Sequence, residues 1–238
     1  GTGSECQSAA LIADAVTHQK MACLDPKAAA VAAFLDPLLT FSQPPRVTAC
    51  TGMDAIAHSL ESAVTTKRNP ISQMYSREAF RLCMGAFERV LSNPGDVEAR
   101  GRMLLGAAFA GTAIENSMLG AAHSAANPLT AHHEIVHGQA VGLMLPHVIE
   151  WNARDEAAAS EYEFLARSVG LLDLAALRQR LGDLMAAAGL ESSLSRLGVD
   201  PAGLTRLAEE ASKQWTAQFN PRKLSVPDFE TLYGKALA

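Results

Sequence analysis

The sequence predicts a mainly α-helical fold that is preceded by a short segment containing β-strands. From about Arg46 onward, apolar residues recur with helical spacing, and short breaker motifs divide this part into about eight helices. Residues 1–45 differ, because they combine glycine, threonine and proline with short apolar runs. We therefore divide the chain into an N-terminal segment, residues 1–45, and an all-helical domain, residues 46–238.

The composition excludes several classes of protein. The 238 residues are enough to bury a substantial core, and 48% of them are hydrophobic. A net charge of −5, without a cluster of lysine and arginine, argues against a nucleic-acid partner. The most apolar stretch is short and contains Asp36 and Pro37, so we expect no membrane partner. The four cysteines form no CxxC motif and indicate reduced thiols in a cytoplasmic protein.

The N-terminal segment predicts a small amount of β-structure. "AALIADAVTHQKMACLD" is typical of two short strands joined by a turn near residues 16–19. The following "PKAAAVAAFLDP" fits a third strand or a helix, and its alanines leave both possibilities open.

Two long amphipathic helices are predicted in the helical domain. Each has apolar residues on one face at i, i+3, i+4 and i+7 spacing. The first face comprises Phe80, Cys83, Met84, Phe87, Val90 and Leu91. The second comprises Met103, Leu104, Ala107, Ala110, Ile114 and Met118.

The stretch "TGMDAIAHSLE" holds the first candidate metal ligands. Asp54 and His58 are four residues apart, so they share one face of a helix. Thr51 and Asp54 also resemble a capping box, in which case Asp54 would help to start the helix. Taken alone, an Asp–His pair of this kind is more often a surface pair than a metal site.

The stretch "HSAANPLTAHHEIVH" holds two further candidates, His123 and His137. Since proline disfavours helical geometry in the residue before it, we expect the helix that carries His123 to end near Asn127. A second helix should begin near residues 133–134 and carry His137. The small apolar neighbours of His123 predict a buried ring, either a ligand or a core histidine bonded to a backbone carbonyl. One carboxylate and three imidazoles would suit Fe(II) or Zn(II) with a position left open.

The motifs "GTGSE", "TGMDAIAHSLE", "LPHVIEWN" and "NPRKLSVPDFETLY", in this order, resemble the iron-containing (group III) alcohol dehydrogenases. The resemblance covers essentially the whole chain. It implies a helical metal-binding domain, like the C-terminal domain of dehydroquinate synthase, preceded by a short β-containing remnant of an α/β nucleotide-binding domain. It also implies a metal, Fe(II) or Zn(II), that polarises the substrate oxygen while NAD(P) exchanges hydride. The implied metal ligands are Asp54, His58, His123 and His137.

The same resemblance accounts for the beginning of the sequence. In the family, "GTGSE" lies near the end of the nucleotide-binding domain. We therefore expect a C-terminal portion that lacks most of the NAD(P) site and is inactive alone. Thr2, Lys20, Leu39 and Thr40 are the implied cofactor contacts. Lys20 is equally consistent with a solvated turn lysine, and Leu39 with a core residue.

One position departs from the family pattern and affects the expected catalysis. Many members carry another histidine four residues after the first paired histidine, beside the substrate, where it is proposed to relay a proton. Asn127 occupies that position here. It is our catalytic candidate, although an amide cannot titrate near neutral pH. The proton would then pass to water, a cofactor hydroxyl or another group.

Two functions remain open at this stage. The first is a metal-dependent NAD(P)-linked dehydrogenase acting on a small alcohol or aldehyde, with a maleylacetate reductase as a less favoured variant. The second is a non-catalytic helical module that acts through association. The intact ligand set favours the first. An uncovered apolar cleft wall predicts a homo-oligomer under either.

Overall fold

The computed structural model describes residues 1–15 and 20–238. Within them the chain is mainly helical, as the sequence predicts. The described α-helices are α1 (Pro45–Val64), α2 (Pro70–Ser92), α3 (Val97–Glu115), α4 (Ala121–His133), α5 (His137–Asn152), α6 (Glu156–Ser168), α7 (Leu174–Ala187), α8 (Leu204–Ser212) and α9 (Val226–Lys235). No helix in this part of the chain is long and apolar enough to cross a bilayer. All four cysteines lie within it and are free thiols.

The N-terminal segment contains the predicted pair of strands. β1 (Ala9–Ala13) and β2 (Lys20–Leu24) pair antiparallel. The predicted turn at residues 16–19 lies outside the described residues. The alanine-rich stretch that follows forms neither of the two alternatives. It consists of single 3-10 turns at Pro26–Ala28 and Pro37–Thr40 with irregular chain between them. Each turn begins at a proline, and the aspartate before that proline caps the turn. The segment between the two turns is exposed except at Leu35, which is half-buried.

The helix α1 forms the centre of the helical domain. Residues 52–65 are all buried, since α2, α3, α5 and α6 pack around this helix. A helix that is buried on every side must offer small residues where neighbours approach closely. Gly52 is one of these, because a Cβ atom there would lie 2.2 Å from the ring of Phe87 on α2. Asp54 and His58 therefore sit inside the core.

The two predicted amphipathic faces are present. In α2, five of the six face residues are buried and Leu91 is half-buried. Asn69 and Ser72 form a capping box that starts this helix. In α3, Ala107, Ala110 and Ile114 are buried. Met118, the last predicted member of that face, lies beyond the end of the helix.

The predicted boundaries around the two histidines are wrong. The helix α4 continues through Pro128 to His133, instead of ending near Asn127, and α5 begins at His137. Pro128 removes one helical hydrogen bond and costs about 3 kcal/mol. Complete burial of neighbouring apolar side chains, Leu129 among them, offsets this cost. The helix ends where Glu134 takes up a left-handed conformation with φ of 54°.

The capping interpretation of Asp54 is also wrong. Pro45 occupies the first turn of α1, a position that tolerates proline because no intrahelical donor is needed there. Asp54 consequently lies in the third turn, inside the core, where its carboxylate is available for another role.

Candidate metal centre

Three helices bring together the four residues that the sequence singled out. Asp54 and His58 lie on α1, His123 lies in the first turn of α4, and His137 begins α5. Ligand atoms of Asp54, His58 and His123 lie within 4.8 Å of one another. The Nε2 atom of His137 is 3.9 Å from Oδ1 of Asp54. The side chain of His137 is 27% exposed, so this side of the cluster is open.

Each of the two buried histidines has one ring nitrogen committed to a hydrogen bond. Nδ1 of His58 donates to the carbonyl oxygen of Thr2 at 3.0 Å. Nδ1 of His123 donates to Oε2 of Glu61. A carbonyl or a carboxylate can only accept, so in the neutral ring the proton resides on Nδ1 and Nε2 keeps its lone pair. Both Nε2 atoms face Asp54, at 3.5 Å for His58 and 3.3 Å for His123.

The centre contains polar atoms whose bonding capacity is unused. Among the described residues, Oδ1 of Asp54 and Nε2 of His123 are buried without a hydrogen-bond partner. Leaving such a group unsatisfied costs about 1–3 kcal/mol. When the His123 ring is neutral with its proton on Nδ1, these two atoms present lone pairs to each other at 3.3 Å, and this arrangement fits a shared cation between them. The donor set, one carboxylate and three imidazoles, also fits a divalent transition metal.

The electrostatics of the centre keep a negative charge at Asp54. Burial opposes ionisation, but His58 and then His123 and His137 hold the pKa of Asp54 below its ordinary value. Burial lowers the pKa of His58 and favours its neutral form. For His123, burial is outweighed by Glu61 and Asp54, which raise its pKa. A cation and a proton therefore compete for the His123 ring.

Glycines allow two parts of the chain, the start of α5 and the residues around Gly3, to approach their neighbours closely. A Cβ atom on Gly138 would lie 2.0 Å from the carbonyl oxygen of Cys50, so α5 approaches α1 at the residue next to His137. A Cβ atom on Gly111 of α3 would lie 2.0 Å from the carbonyl oxygen of Gly3. Gly3 itself has φ of 83°, which favours glycine. This contact holds the Thr2 carbonyl against His58 and explains the second glycine of "GTGSE", Gly3.

A cavity of about 340 Å³ lies beside the cluster. Its lining includes all four candidate ligands together with Thr2, Asn127 and Gln214. Apolar walls are contributed by Ile114, Met118, Leu119 and Trp215. A cavity of this size and mixed polarity can hold a small organic molecule next to the cluster.

The four predicted cofactor contacts do not lie together in one site. Thr2 lines the cavity beside the cluster. Thr40 lines a separate cavity of about 50 Å³, where its carbonyl oxygen accepts from Arg100 at 2.9 Å. Leu39 is 74% exposed, so its interpretation as a core residue is wrong. Lys20 begins β2, and its side chain lies outside the described part of the structure.

Asn127, the catalytic candidate, lines the cavity near the cluster. Its Nδ2 donates to Oε1 of Gln214 at 3.0 Å. Gln214 precedes the 3-10 turn Trp215–Phe219 and is 87 residues away in the sequence, so spacing gave no sign of this pair. The two amides can orient a polar group of a ligand, and neither can relay a proton by titrating.

Sequence reasoning missed Glu61, which bonds to His123. The signal was present, because Glu61 lies three residues after His58 and seven after Asp54, on the same face of α1. The carboxylate is buried, with only 2% of the residue exposed.

The fold and the site define a helical domain with a candidate mononuclear metal centre. Residues 48–237 match the model of the Fe-containing alcohol dehydrogenase family, C-terminal region. The chain belongs to this family of oxidoreductases, as its motifs suggested.

Individual relatives agree with this placement. The chain is 31% identical to the NAD-dependent methanol dehydrogenase of Bacillus methanolicus, over 100% of the chain and 64% of the relative. It is 29% identical to the 1,3-propanediol dehydrogenase of Citrobacter freundii, over 99% of the chain and 62% of the relative. The structure of sulfoacetaldehyde reductase from Bifidobacterium kashiwanohense in complex with NAD+ superposes with a TM-score of 0.93 at 26% identity, covering 100% of the chain and 62% of that structure. The chain thus spans less than two thirds of the length of these relatives.

Proposed function

We propose that the chain is the metal-binding part of an NAD(P)-linked dehydrogenase that interconverts small alcohols and aldehydes. The observation that carries the proposal is the convergence of Asp54, His58, His123 and His137 beside the 340 Å³ cavity. Fe(II) is the proposed metal, in keeping with the family, and Zn(II) accepts the same donors. The relatives are named alcohol dehydrogenases and aldehyde reductases, which supports this substrate class over maleylacetate.

The four side chains would hold the metal with Asp54 as the charged ligand. A divalent metal bound there supplies a Lewis acid that polarises the oxygen of an alcohol or aldehyde. His58 and His123 are prepared for this role, because each has its Nδ1 proton committed elsewhere. Met118 and Trp215 contribute apolar side chains to the cavity wall, as is typical of a site for a small organic molecule.

Asn127 is proposed to orient the substrate. Its amide pairs with that of Gln214, and both face the cavity. The pair offers both donors and acceptors to a polar group of the substrate. Asn127 does not titrate, so proton transfer would use water or a hydroxyl group of the cofactor.

NAD or NADP is the proposed hydride partner. A relative named NAD-dependent and a solved structure that contains NAD+ support this cofactor. We propose that residues 1–45 belong to the cofactor-binding side and that Thr2, Lys20, Leu39 and Thr40 contribute to it. The exposure of Leu39 is consistent with a surface that another part of an enzyme covers. We expect the chain to be inactive alone and, given its four free thiols, to be cytoplasmic.

Metal analysis after anaerobic incubation with Fe(II) tests the proposal. The chain should retain one equivalent after gel filtration, and His123→Ala should retain none. His132→Ala is the matched control, since His132 lies on the same helix but pairs with Glu210 at the surface. Full occupancy in His123→Ala, under competition with a chelator, would refute the assignment.

A further inference from the structure

The helix α4, which carries His123, begins at a residue that cannot cap it. Gly120 is the N-cap residue and has no side chain. Distant side chains provide the acceptors instead. The amide of Ala121 donates to Oδ1 of Asn220 at 3.2 Å, and the amide of Ala122 donates to Oε1 of Glu61 at 2.7 Å. The start of α4 is therefore satisfied by α1 and by the C-terminal part of the chain.

Glu61 uses its two carboxylate oxygens for different purposes. Oε1 accepts from the start of α4, whereas Oε2 accepts from Nδ1 of His123. A carboxylate this deeply buried is costly unless it is paired. The positive end of the helix dipole and the imidazole N–H both compensate for its charge. The helix and the ring that it carries are thus tied to one group.

The surroundings of Glu61 leave little freedom for another arrangement. A Cβ atom on Gly120 would lie 2.9 Å from Oδ1 of Asn220 and 3.2 Å from Oε1 of Glu61, so glycine lets both acceptors reach the helix. Asn220 is fixed in turn by Asn152, because the two amides each donate to the other, at 2.6 and 3.1 Å.

We propose that Glu61 is a positioning residue that fixes the proton of His123 on Nδ1. Nε2 of His123 faces Oδ1 of Asp54 at 3.3 Å. Without a strong acceptor at Nδ1, the ring would place its proton on Nε2 and donate it to Asp54. In that tautomer, Nε2 of His123 and Oδ1 of Asp54, the two atoms that lack partners, would be bonded to each other. Glu61 opposes it, and so keeps both atoms free for a cation. The cation itself rests on the proposed function.

Glu61→Gln separates the two tasks of the carboxylate. An amide offers one acceptor where the site needs two. If its oxygen serves Ala122, its NH2 group faces Nδ1 of His123 and favours the opposite tautomer. The matched control is Glu161→Gln, which removes another buried carboxylate. Glu161 accepts two hydrogen bonds from Arg77, at 2.7 Å each, and does not line the cavity.

The test has two readouts. In the metal-free protein, imidazole ¹⁵N shifts at alkaline pH, where the ring is neutral, report which nitrogen of His123 carries the proton. Zn(II) affinity, measured by chelator competition, reports the consequence. Wild-type His123 should be protonated on Nδ1, and Glu61→Gln should shift the proton toward Nε2 and weaken Zn(II) binding about 10- to 100-fold. Glu161→Gln should change neither quantity.

Other outcomes are equally decisive. An Nε2–H tautomer in the wild type would overturn the proposal, and it does so even if the variant fails to fold. A folded Glu61→Gln that keeps the Nδ1 proton and binds Zn(II) within about twofold of wild type would also overturn it. If the wild type binds no metal at all, the proposed function fails, whereas the ¹⁵N measurement still decides the role of Glu61.

Discussion

The helical domain and the N-terminal segment each orient one buried histidine, but by different means. In the helical domain, His123 is held by a buried side chain, Glu61. His58 is held by a backbone carbonyl of Thr2, which belongs to the N-terminal segment. That segment exposes many of its apolar side chains, among them Val31, Phe34 and Leu39. The candidate metal centre thus lies between a densely packed core on one side and, on the other, an N-terminal segment that buries little apolar surface.

This difference predicts which mutations affect both the stability of the core and the geometry of the candidate ligands, and which affect only the geometry. Damage to the contacts of α5 should disturb the core and the centre together. Damage to the contact between Gly3 and Gly111 should disturb the centre while most of the core remains intact, because the segment buries little apolar surface.

The largest effect is expected for Gly138→Ala. The new Cβ atom would lie 2.0 Å from the carbonyl oxygen of Cys50, and neither backbone can yield without moving α5. We expect a loss of about 3 kcal/mol in the free energy of unfolding, together with loss of metal binding. Denaturant unfolding measures the change in the free energy of unfolding, and metal analysis measures the loss of metal binding.

The control for this variant is Gly182→Ala on α7. A Cβ atom there meets nothing within 4 Å, and the residue is exposed. Alanine favours a helix over glycine by up to about 1 kcal/mol, so this variant should be neutral or more stable. Equal stability of Gly138→Ala and Gly182→Ala would contradict the close approach of α5 and α1.

A smaller effect on stability, but a clear effect on the centre, is expected for Gly111→Ala. Its Cβ atom would displace Gly3 from α3 and remove the Thr2 carbonyl from Nδ1 of His58. Metal affinity should fall about tenfold, as is typical when a ligand loses its orienting partner. Hydrogen exchange should increase in residues 1–8 and stay unchanged in α2. If hydrogen exchange in residues 1–8 increases but the metal affinity is unchanged, Thr2 does not orient His58.

The smallest effect concerns association through the N-terminal segment. Exposed apolar side chains at Val31, Phe34 and Leu39 predict self-association at micromolar concentration. Phe34→Asp combined with Leu39→Asp should shift sedimentation toward the monomer without a change in metal content. A wild-type chain that sediments as a monomer would show that this apolar surface does not join two copies.

Local sequence patterns predicted much of the helical domain and the candidate ligands. Helical periodicity identified the buried faces of α2 and α3, and the i, i+4 spacing put Asp54 beside His58. The rule for proline failed at Pro128, because burial around α4 outweighs the lost hydrogen bond. A single residue cannot reveal how much apolar surface its helix will bury in the folded chain.

Which partner orients each candidate ligand could not be predicted, for a different reason: the paired residues are far apart in the sequence. Thr2 is 56 residues from His58, and Glu61 is 62 residues from His123. Periodicity describes neighbours along one helix and carries no information about which helix ends meet. Glu61 could have been suspected from its place on α1, whereas Asn220 and Gln214 offered no comparable signal.

The central claim, that Asp54, His58, His123 and His137 hold one metal, is tested most directly by anomalous diffraction. Crystals of the chain loaded anaerobically with Fe(II) are measured on both sides of the iron absorption edge. The account predicts a single anomalous peak per chain, lying between the Asp54 carboxylate and the three imidazoles. A peak elsewhere, or no peak at this point in crystals whose metal content is one equivalent, would contradict it.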